Sequence, residues 1–273
     1  MFGDSERSTQ LFSDESALST RYTPDTVIGR DQERQALEMA LAPLTRRTAP
    51  ENVVVYGPAG VGKTTTVTHV CQRLEQQSQV QTVQINCWQY NTRSALLSQF
   101  LIDLGYPAPR KGRSIDELLR QLHEWVAKHQ CLAVVLDEFD RHQAQTDIIY
   151  DLHHVSADVD NELGIVLISN RPPAEIQLDP RSQSRLNYRP VHFPRYDADQ
   201  LYTILQDRAA TAFHPDTVTD DTLQRIVDRV AGSNGDCRHA IELLHRAGRI
   251  AERDQADAVT PEHVEQSFNP ARN

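Results

Sequence analysis

The sequence predicts an α/β fold: a five-stranded parallel sheet of the phosphate-loop type between helices, followed by a small all-helical domain. Three observations carry this reading. Strand-length runs recur at 53–56, 82–87, 131–136, 164–169 and 190–193, with helical periodicity between the first three of them. The runs at 131–136 and 164–169 are continuously apolar rather than alternating, as parallel strands covered on both faces must be. Beyond about residue 195 only helical periodicity remains.

Residues 1–20 are polar and rich in Ser, Asp and Glu, which predicts a mostly mobile arm with Leu11 and Phe12 as its one anchor. The stretch 22–30 reads as extended with a turn. It leads into a helix whose Leu37, Ala40, Leu41 and Leu44 repeat at i, i+3, i+4, i+7. The run Val53, Val54, Val55, Tyr56 then breaks into Gly57, Pro58, Ala59, Gly60, Val61, Gly62, Lys63, Thr64 and Thr65. This is the strand, loop and helix start of a phosphate-binding loop. Glycines let backbone N–H groups turn inward around an anion, and the helix beginning near Lys63 adds the positive end of its dipole. Lys63 supplies a mobile cation, and the Thr64 hydroxyl suits Mg²⁺.

Val67, Val70, Cys71 and Leu74 give the next helix a core face, and 82–87 alternates as strand two. A helical insertion follows, with Leu97, Phe100, Leu101 and Leu104 in one segment and Ile115, Leu118, Leu119, Leu122, Trp125 and Val126 in another. Between them, Arg110, Lys111 and Arg113 crowd a breaker-rich loop, which reads either as solvated or as a contact for phosphates. Strand three ends in Asp137, Glu138, Phe139, Asp140. Acids at the carboxyl end of a buried strand lie where open α/β sheets place ligands. With a phosphate loop upstream, Asp137 is the candidate Mg²⁺ holder and Glu138 the candidate base for an attacking water. Strand four ends in Asn170, which suits a phosphate or the lytic water, or simply a turn. Strand five is expected at 190–193.

The helical part has three amphipathic segments: Leu201, Ile204, Leu205, Ala209 and Ala212; Leu223, Ile226, Val227 and Val230; Ala240, Ile241, Leu244 and Ala247. Asp199 and Thr219 are the expected caps. The expected organisation is an arm (1–20), an α/β domain (21–195) with an insertion at about 91–113, a helical domain (196–268) and a tail (269–273).

Formal net charge is −10, which argues against non-specific coating of nucleic acid and leaves room for a local basic patch. No apolar run approaches the roughly 20 residues of a membrane span, and the N-terminus lacks a signal-peptide pattern, so no membrane association and a cytoplasmic location are expected. Cys71, Cys87, Cys131 and Cys237 are scattered, without a C-x-x-C pair, and read as reduced core residues.

These motifs, with Tyr22-Thr23-Pro24, Ile28-Gly29-Arg30, Asn86-Cys87, Asn91-Thr92-Arg93, Leu178-Asp179-Pro180-Arg181, Phe193-Pro194 with Tyr196, and Gly235-Asp236 with Arg238, resemble AAA+ ATPases. Within them, the chain resembles the archaeal replication initiators related to the origin recognition complex and its Cdc-type loading factor. The resemblance spans roughly residues 11–268. It implies an ATP/ADP site with Mg²⁺, in which Tyr22, Val27 and Ile28 line the adenine pocket, Asn170 is the first sensor and Arg238, in the lid, the second. It makes Arg185 a finger acting in trans, with Arg181 its competitor, and the insertion a DNA-binding element whose phosphate contacts are Arg93, Arg110, Lys111 and Arg113. Implied partners are DNA, self or paralogous initiator subunits and a replicative helicase.

The resemblance is to proteins that continue into a winged-helix domain, whereas this sequence stops shortly after Phe268, so the expectation is either a truncated form or a short paralogue, without tight sequence-specific DNA binding by this chain alone. Arg171-Pro172 also stands where the family carries an acidic residue after the sensor asparagine. The expected function is an ATP-dependent initiator switch with slow hydrolysis. The alternatives are a nucleotide-binding regulatory paralogue acting through protein contacts, or an ATPase of a plasmid or mobile element.

Overall fold

The computed structural model describes residues 10–19, 22–24, 26–107, 112–157, 162–232 and 235–268. The chain forms two compact units, one of residues 30–58 and 62–193, the other of residues up to 29, 59–61 and 194 onward.

The larger unit holds, in chain order, α1 (Asp31–Leu41), β1 (Asn52–Tyr56), α2 (Lys63–Gln77), β2 (Gln81–Asn86), α3 (Arg93–Asp103), α4 (Ile115–Val126), β3 (Cys131–Asp137), α5 (Gln145–Ala157), β4 (Glu162–Ser169), α6 (Pro180–Leu186) and β5 (Tyr188–His192). The five strands pair in parallel in the order β2-β3-β4-β1-β5, as the apolar runs predict. The pleat divides the core. Val54 packs with Phe100, Leu101, Leu122, Val134, Ile148 and Leu152 on one face. Val53 and Val55, buried as well, point to the other.

Two local expectations shift. The fifth strand begins at Tyr188 and includes Pro190, which the sheet tolerates because β5 is an edge strand pairing only with β1. Helix α5 has no counterpart in the sequence reading, although Ile148, Ile149, Leu152 and Val155 bury one of its faces.

The second unit holds α7 (Ala198–Ala212), α8 (Asp220–Ala231), α9 (Cys237–Arg253) and α10 (Pro261–Phe268). Thr219 caps α8 as expected, its hydroxyl accepting from the Thr222 amide. The cap of α7 is Asp197 rather than Asp199, because Asp197 and Gln200 complete a reciprocal capping box.

The N-terminal segment belongs to this helical unit. Residues 10–19 are ordered against it: Leu11 and Phe12 are buried, Phe12 stacks on Phe213 at 4.5 Å, and the Glu252 carboxylate accepts from both the Leu11 and Phe12 amides. The Glu15 carboxylate accepts from Arg249 and His245, both at 2.6 Å. The anchor is thus as the sequence suggests, and within residues 10–19 Ala17 and Leu18 are buried beside it. Replacing Phe12 by alanine is expected to cost about 3 kcal/mol, the usual loss for a buried phenyl ring. Urea unfolding of Phe12→Ala checks this; a change under about 1 kcal/mol would show that the segment is not part of the core.

All four cysteines are buried, and burial pushes the Cys71 thiol up to about 12. Among the described residues, no helix is long and apolar enough to cross a membrane.

Candidate nucleotide site

In the larger unit the site is assembled at the carboxyl ends of the strands. Gly57 leaves β1 with φ of +150°, and a Cβ there would lie 2.2 Å from the Phe193 carbonyl oxygen. Gly62 takes a left-handed conformation (φ +83°) and starts α2, which places Lys63, Thr64 and Thr65 in the first helical turn. Lys63 is buried. Its Nζ donates to the carbonyls of Gly57 at 2.8 Å and Pro58 at 2.6 Å and to Asn170 Oδ1 at 2.9 Å.

Thr64 donates its hydroxyl to Asp137 Oδ2 at 3.0 Å, while Asp137 Oδ1 accepts from the Glu138 amide at 2.8 Å. Burial pushes the Asp137 carboxyl above its ordinary range, partly offset by those two hydrogen bonds. Glu138 occupies the left-handed region at φ +54°, an uncommon conformation for a side-chain-bearing residue that costs of order 1 kcal/mol. Thus Lys63, Thr64, Asp137, Glu138 and Asn170, picked separately from the sequence, share one hydrogen-bonded cluster or adjoin it.

Two further residues hold this cluster. Asn86 ends β2 opposite Asp137 in the parallel register, and its Nδ2 donates to Glu138 Oε2 at 3.3 Å. Asp140 Oδ1 accepts from the Asn170 amide at 3.1 Å, tying the end of β4 to the acidic loop after β3. Their signal was present in the sequence as polar residues closing apolar runs. What each one grips depends on strand order.

The remaining expected residues fall elsewhere. The loop tip Ala59, Gly60, Val61 clusters with the helical unit: the Cys237 amide donates to the Gly60 carbonyl at 3.1 Å, and a Cβ on Gly60 (φ +73°) would lie 1.7 Å from Asp236 Oδ1. Asp236 is the cap of α9, accepting from the amides of Arg238 and His239. The Arg238 side chain is exposed in the first turn of α9. In the same unit Val27 is buried, Tyr22 and Ile28 pack against the helical core, and the Arg208 guanidinium lies over the Tyr22 ring at 4.4 Å.

Arg185 is exposed on α6, over the Tyr150 ring at 5.5 Å, without an ion pair among the described residues; Arg181 is exposed on the same helix.

The cations expected to meet DNA are placed differently from one another. Arg110 and Lys111 lie outside the described residues. Arg113 is turned inward, donating to the Tyr106 hydroxyl at 3.0 Å and to Gln121. Arg93 grips Asp151 with two hydrogen bonds at 2.7 and 2.6 Å. Asp151 is 1% exposed, and burial pushes its carboxyl above the ordinary range, partly offset by the Arg93 guanidinium. Loss of one partner leaves the other charge stranded, so Arg93→Ala is expected to cost about 3 kcal/mol, with partial recovery in the Arg93→Ala, Asp151→Asn double variant. Thermal and urea unfolding check this; an unchanged midpoint in Arg93→Ala would show the pair contributes nothing.

The ligand chemistry open to this cluster is narrow. A glycine-rich loop opening a helix, a buried lysine and a hydroxyl-carboxylate pair match a polyphosphate with a hard divalent cation. Thr64 Oγ1 and Asp137 Oδ2, hydrogen-bonded to each other, are both oxygen donors of the kind Mg²⁺ takes.

Comparison with known proteins agrees with this chemistry. Residues 46–175 match the AAA domain, and residues 202–269 match the Cdc6 AAA+ ATPase-type lid domain. An ORC1-type DNA replication protein of Pyrococcus abyssi is 32% identical over 271 residues, covering 94% of this chain and 65% of the relative. One from Thermococcus onnurineus is 34% identical over 268 residues, covering 93% and 65%. This chain therefore spans a little under two thirds of those relatives. The Aeropyrum pernix ORC1 protein, solved in complex with DNA, superposes with a TM-score of 0.87 at 30% identity, covering 96% of this chain and 70% of that one. An AAA domain followed by a Cdc6-type lid, with that likeness running through both, places the chain in the archaeal ORC1/Cdc6 family of AAA+ replication initiators.

Proposed function

We propose that this chain is an ATP-driven initiator switch: it binds Mg·ATP, hydrolyses it slowly, and in the ATP state favours assembly on DNA or with partner initiator subunits. The observation that carries the reading is the Lys63 ammonium, held by three oxygen acceptors at the mouth of a glycine loop beside the Thr64–Asp137 pair. A lysine so placed is preorganised to exchange protein acceptors for phosphate oxygens without moving its stem.

The proposed roles follow from the chemistry of each side chain. The loop residues Gly57 to Thr65 bind the phosphates through their amides, and Lys63 neutralises charge on the terminal ones. Thr64 and Asp137 would hold Mg²⁺, which supplies positive charge along the phosphate oxygens when bound. Glu138 takes the proton of the attacking water; Asn86 keeps its carboxylate aimed and Asn170 orients the water or the γ-phosphate. Tyr22, Val27 and Ile28 are assigned to the adenine, Arg238 to the nucleotide from the lid, and Arg185 to a neighbouring subunit's nucleotide in trans.

For DNA, Arg110 and Lys111 are the proposed phosphate contacts of the insertion. Arg93 and Arg113 would have to exchange their internal partners to join them. A replicative helicase is a further proposed partner.

The test is nucleotide affinity by calorimetry in parent and Lys63→Ala. Micromolar or tighter Mg·ATP binding in the parent, weakened at least about tenfold in the variant, is expected from loss of one charge-assisted phosphate contact. Equal affinity would remove the loop as the binding site.

A further inference from the structure

Among the described residues the exposed large apolar side chains are Met39, Trp88 and Tyr150, and Trp88, at 61% exposure, is the most open of the three. It does not stand on a loose loop. The Trp88 and Gln89 amides both donate to Asn86 Oδ1 at 3.0 Å, and the Tyr90 amide donates to the Asn86 carbonyl at 3.0 Å, so the turn after β2 is fixed at its base. The Arg141 guanidinium lies over the indole at 5.2 Å. Arg141 is half-exposed and is itself anchored by Asp140, 3.7 Å away and almost wholly buried. Because β2 and β3 are hydrogen-bonded neighbours, the turn after β2 and the 3₁₀ turn after β3 (Phe139–Arg141) bring this pair together at the carboxyl ends of the strands.

We infer that Trp88 and Arg141 form a contact surface for DNA. The inference rests on the proposed DNA-linked function and names the protein side of that contact. A rigid, exposed indole offers a π-face to a base or a deoxyribose, and the adjoining guanidinium offers planar donors to a phosphate. The exposed side chains that continue the surface, Gln89, Asn91 and Thr92, are neutral hydrogen-bonding groups. A strand backbone therefore meets the half-exposed Arg141, whose partner Asp140 is turned inward, and polar neutral groups here, in a chain whose overall charge is −10 and would otherwise repel it. An apolar protein partner would instead call for neighbouring exposed aliphatic side chains, and Gln89, Asn91 and Thr92 occupy those positions.

The experiment uses the two tryptophans of the chain, Trp88 and Trp125. In a Trp125→Phe background, titration with a short duplex is expected to quench the Trp88 emission along the same isotherm that anisotropy of labelled DNA gives. Trp88→Ala and Arg141→Ala, each made in the parent, are expected to weaken DNA binding about tenfold. Arg141→Ala should also lower the slope of log affinity against log salt by about one, as loss of one phosphate contact requires. Circular dichroism and thermal midpoints of both variants control for folding. DNA binding with unchanged Trp88 emission and parental affinity in Trp88→Ala would overturn this surface and leave the initiator reading intact. Failure of the parent to bind DNA by anisotropy would overturn the inference and the DNA arm of the initiator reading, leaving nucleotide binding and subunit assembly to their own test. Emission that shifts with protein concentration in the absence of DNA would assign the patch to contact between copies, and overturn the inference.

Discussion

Glu138→Gln is expected to lower steady-state ATP turnover by about 10²- to 10³-fold while leaving Mg·ATP affinity within about threefold of the parent, the signature of losing a general base rather than a binding group. The geometry favours a clean separation. Glutamine keeps the volume and an oxygen that can accept from Asn86 Nδ2, and the Glu138 amide stays bonded to Asp137 Oδ1, which holds the left-handed bend. The variant removes only the ability to take a proton. Turnover is read from phosphate release under excess ATP, and affinity from calorimetry. Parental turnover in Glu138→Gln would mean that the base is another group. Turnover and affinity falling together would mean that the change reached the phosphate loop.

Gly57→Ala is expected to abolish nucleotide binding and to destabilise the larger unit by about 3 kcal/mol, because two independent costs meet at one atom. The backbone sits at φ +150°, where a side chain is strained, and the new Cβ would lie 2.2 Å from the Phe193 carbonyl oxygen, a backbone atom with little room to yield. Phe193 is fully buried, its amide donates to the Tyr56 carbonyl at 2.8 Å, and the Arg30 guanidinium covers its ring at 5.5 Å. Relief must therefore come from parting the ends of β1 and β5 or from redirecting the loop, and either displaces the carbonyls that hold Lys63. Urea unfolding and calorimetry together test this. An unfolding midpoint like the parent's with intact ATP affinity would show that the loop yields freely there.

Much of this site was readable from residues alone. The glycines, Lys63 and Thr64 announce the loop because each answers a local backbone or charge requirement. Asp137, Glu138 and Asn170 stand out because polar residues close runs that are otherwise wholly apolar. Resemblance to a known family supplied what such reasoning lacks, namely distinctions among 25 arginines. It also carried an expectation, phosphate contact by Arg93, at a residue that the structure turns to the buried Asp151. Nothing in the sequence around Arg93 marks this, since Asp151 lies 58 positions away on α5.

What the sequence determined by itself is everything set within a few residues: strand and helix periods, the phosphate loop, the Thr219 cap, and the acids at the end of β3. Tertiary structure alone decided which of these touch. Asn86 reaches Glu138 only because β2 and β3 are neighbours in register, and Asp140 holds Asn170 only because β4 follows β3 in the sheet. Leu11 and Phe12 join the helical unit, and Gly60 meets Asp236, across separations that no local pattern encodes. The physical reason is that a period fixes which face of an element is buried, whereas the partner on that face is chosen by the order in which the strands and helices pack.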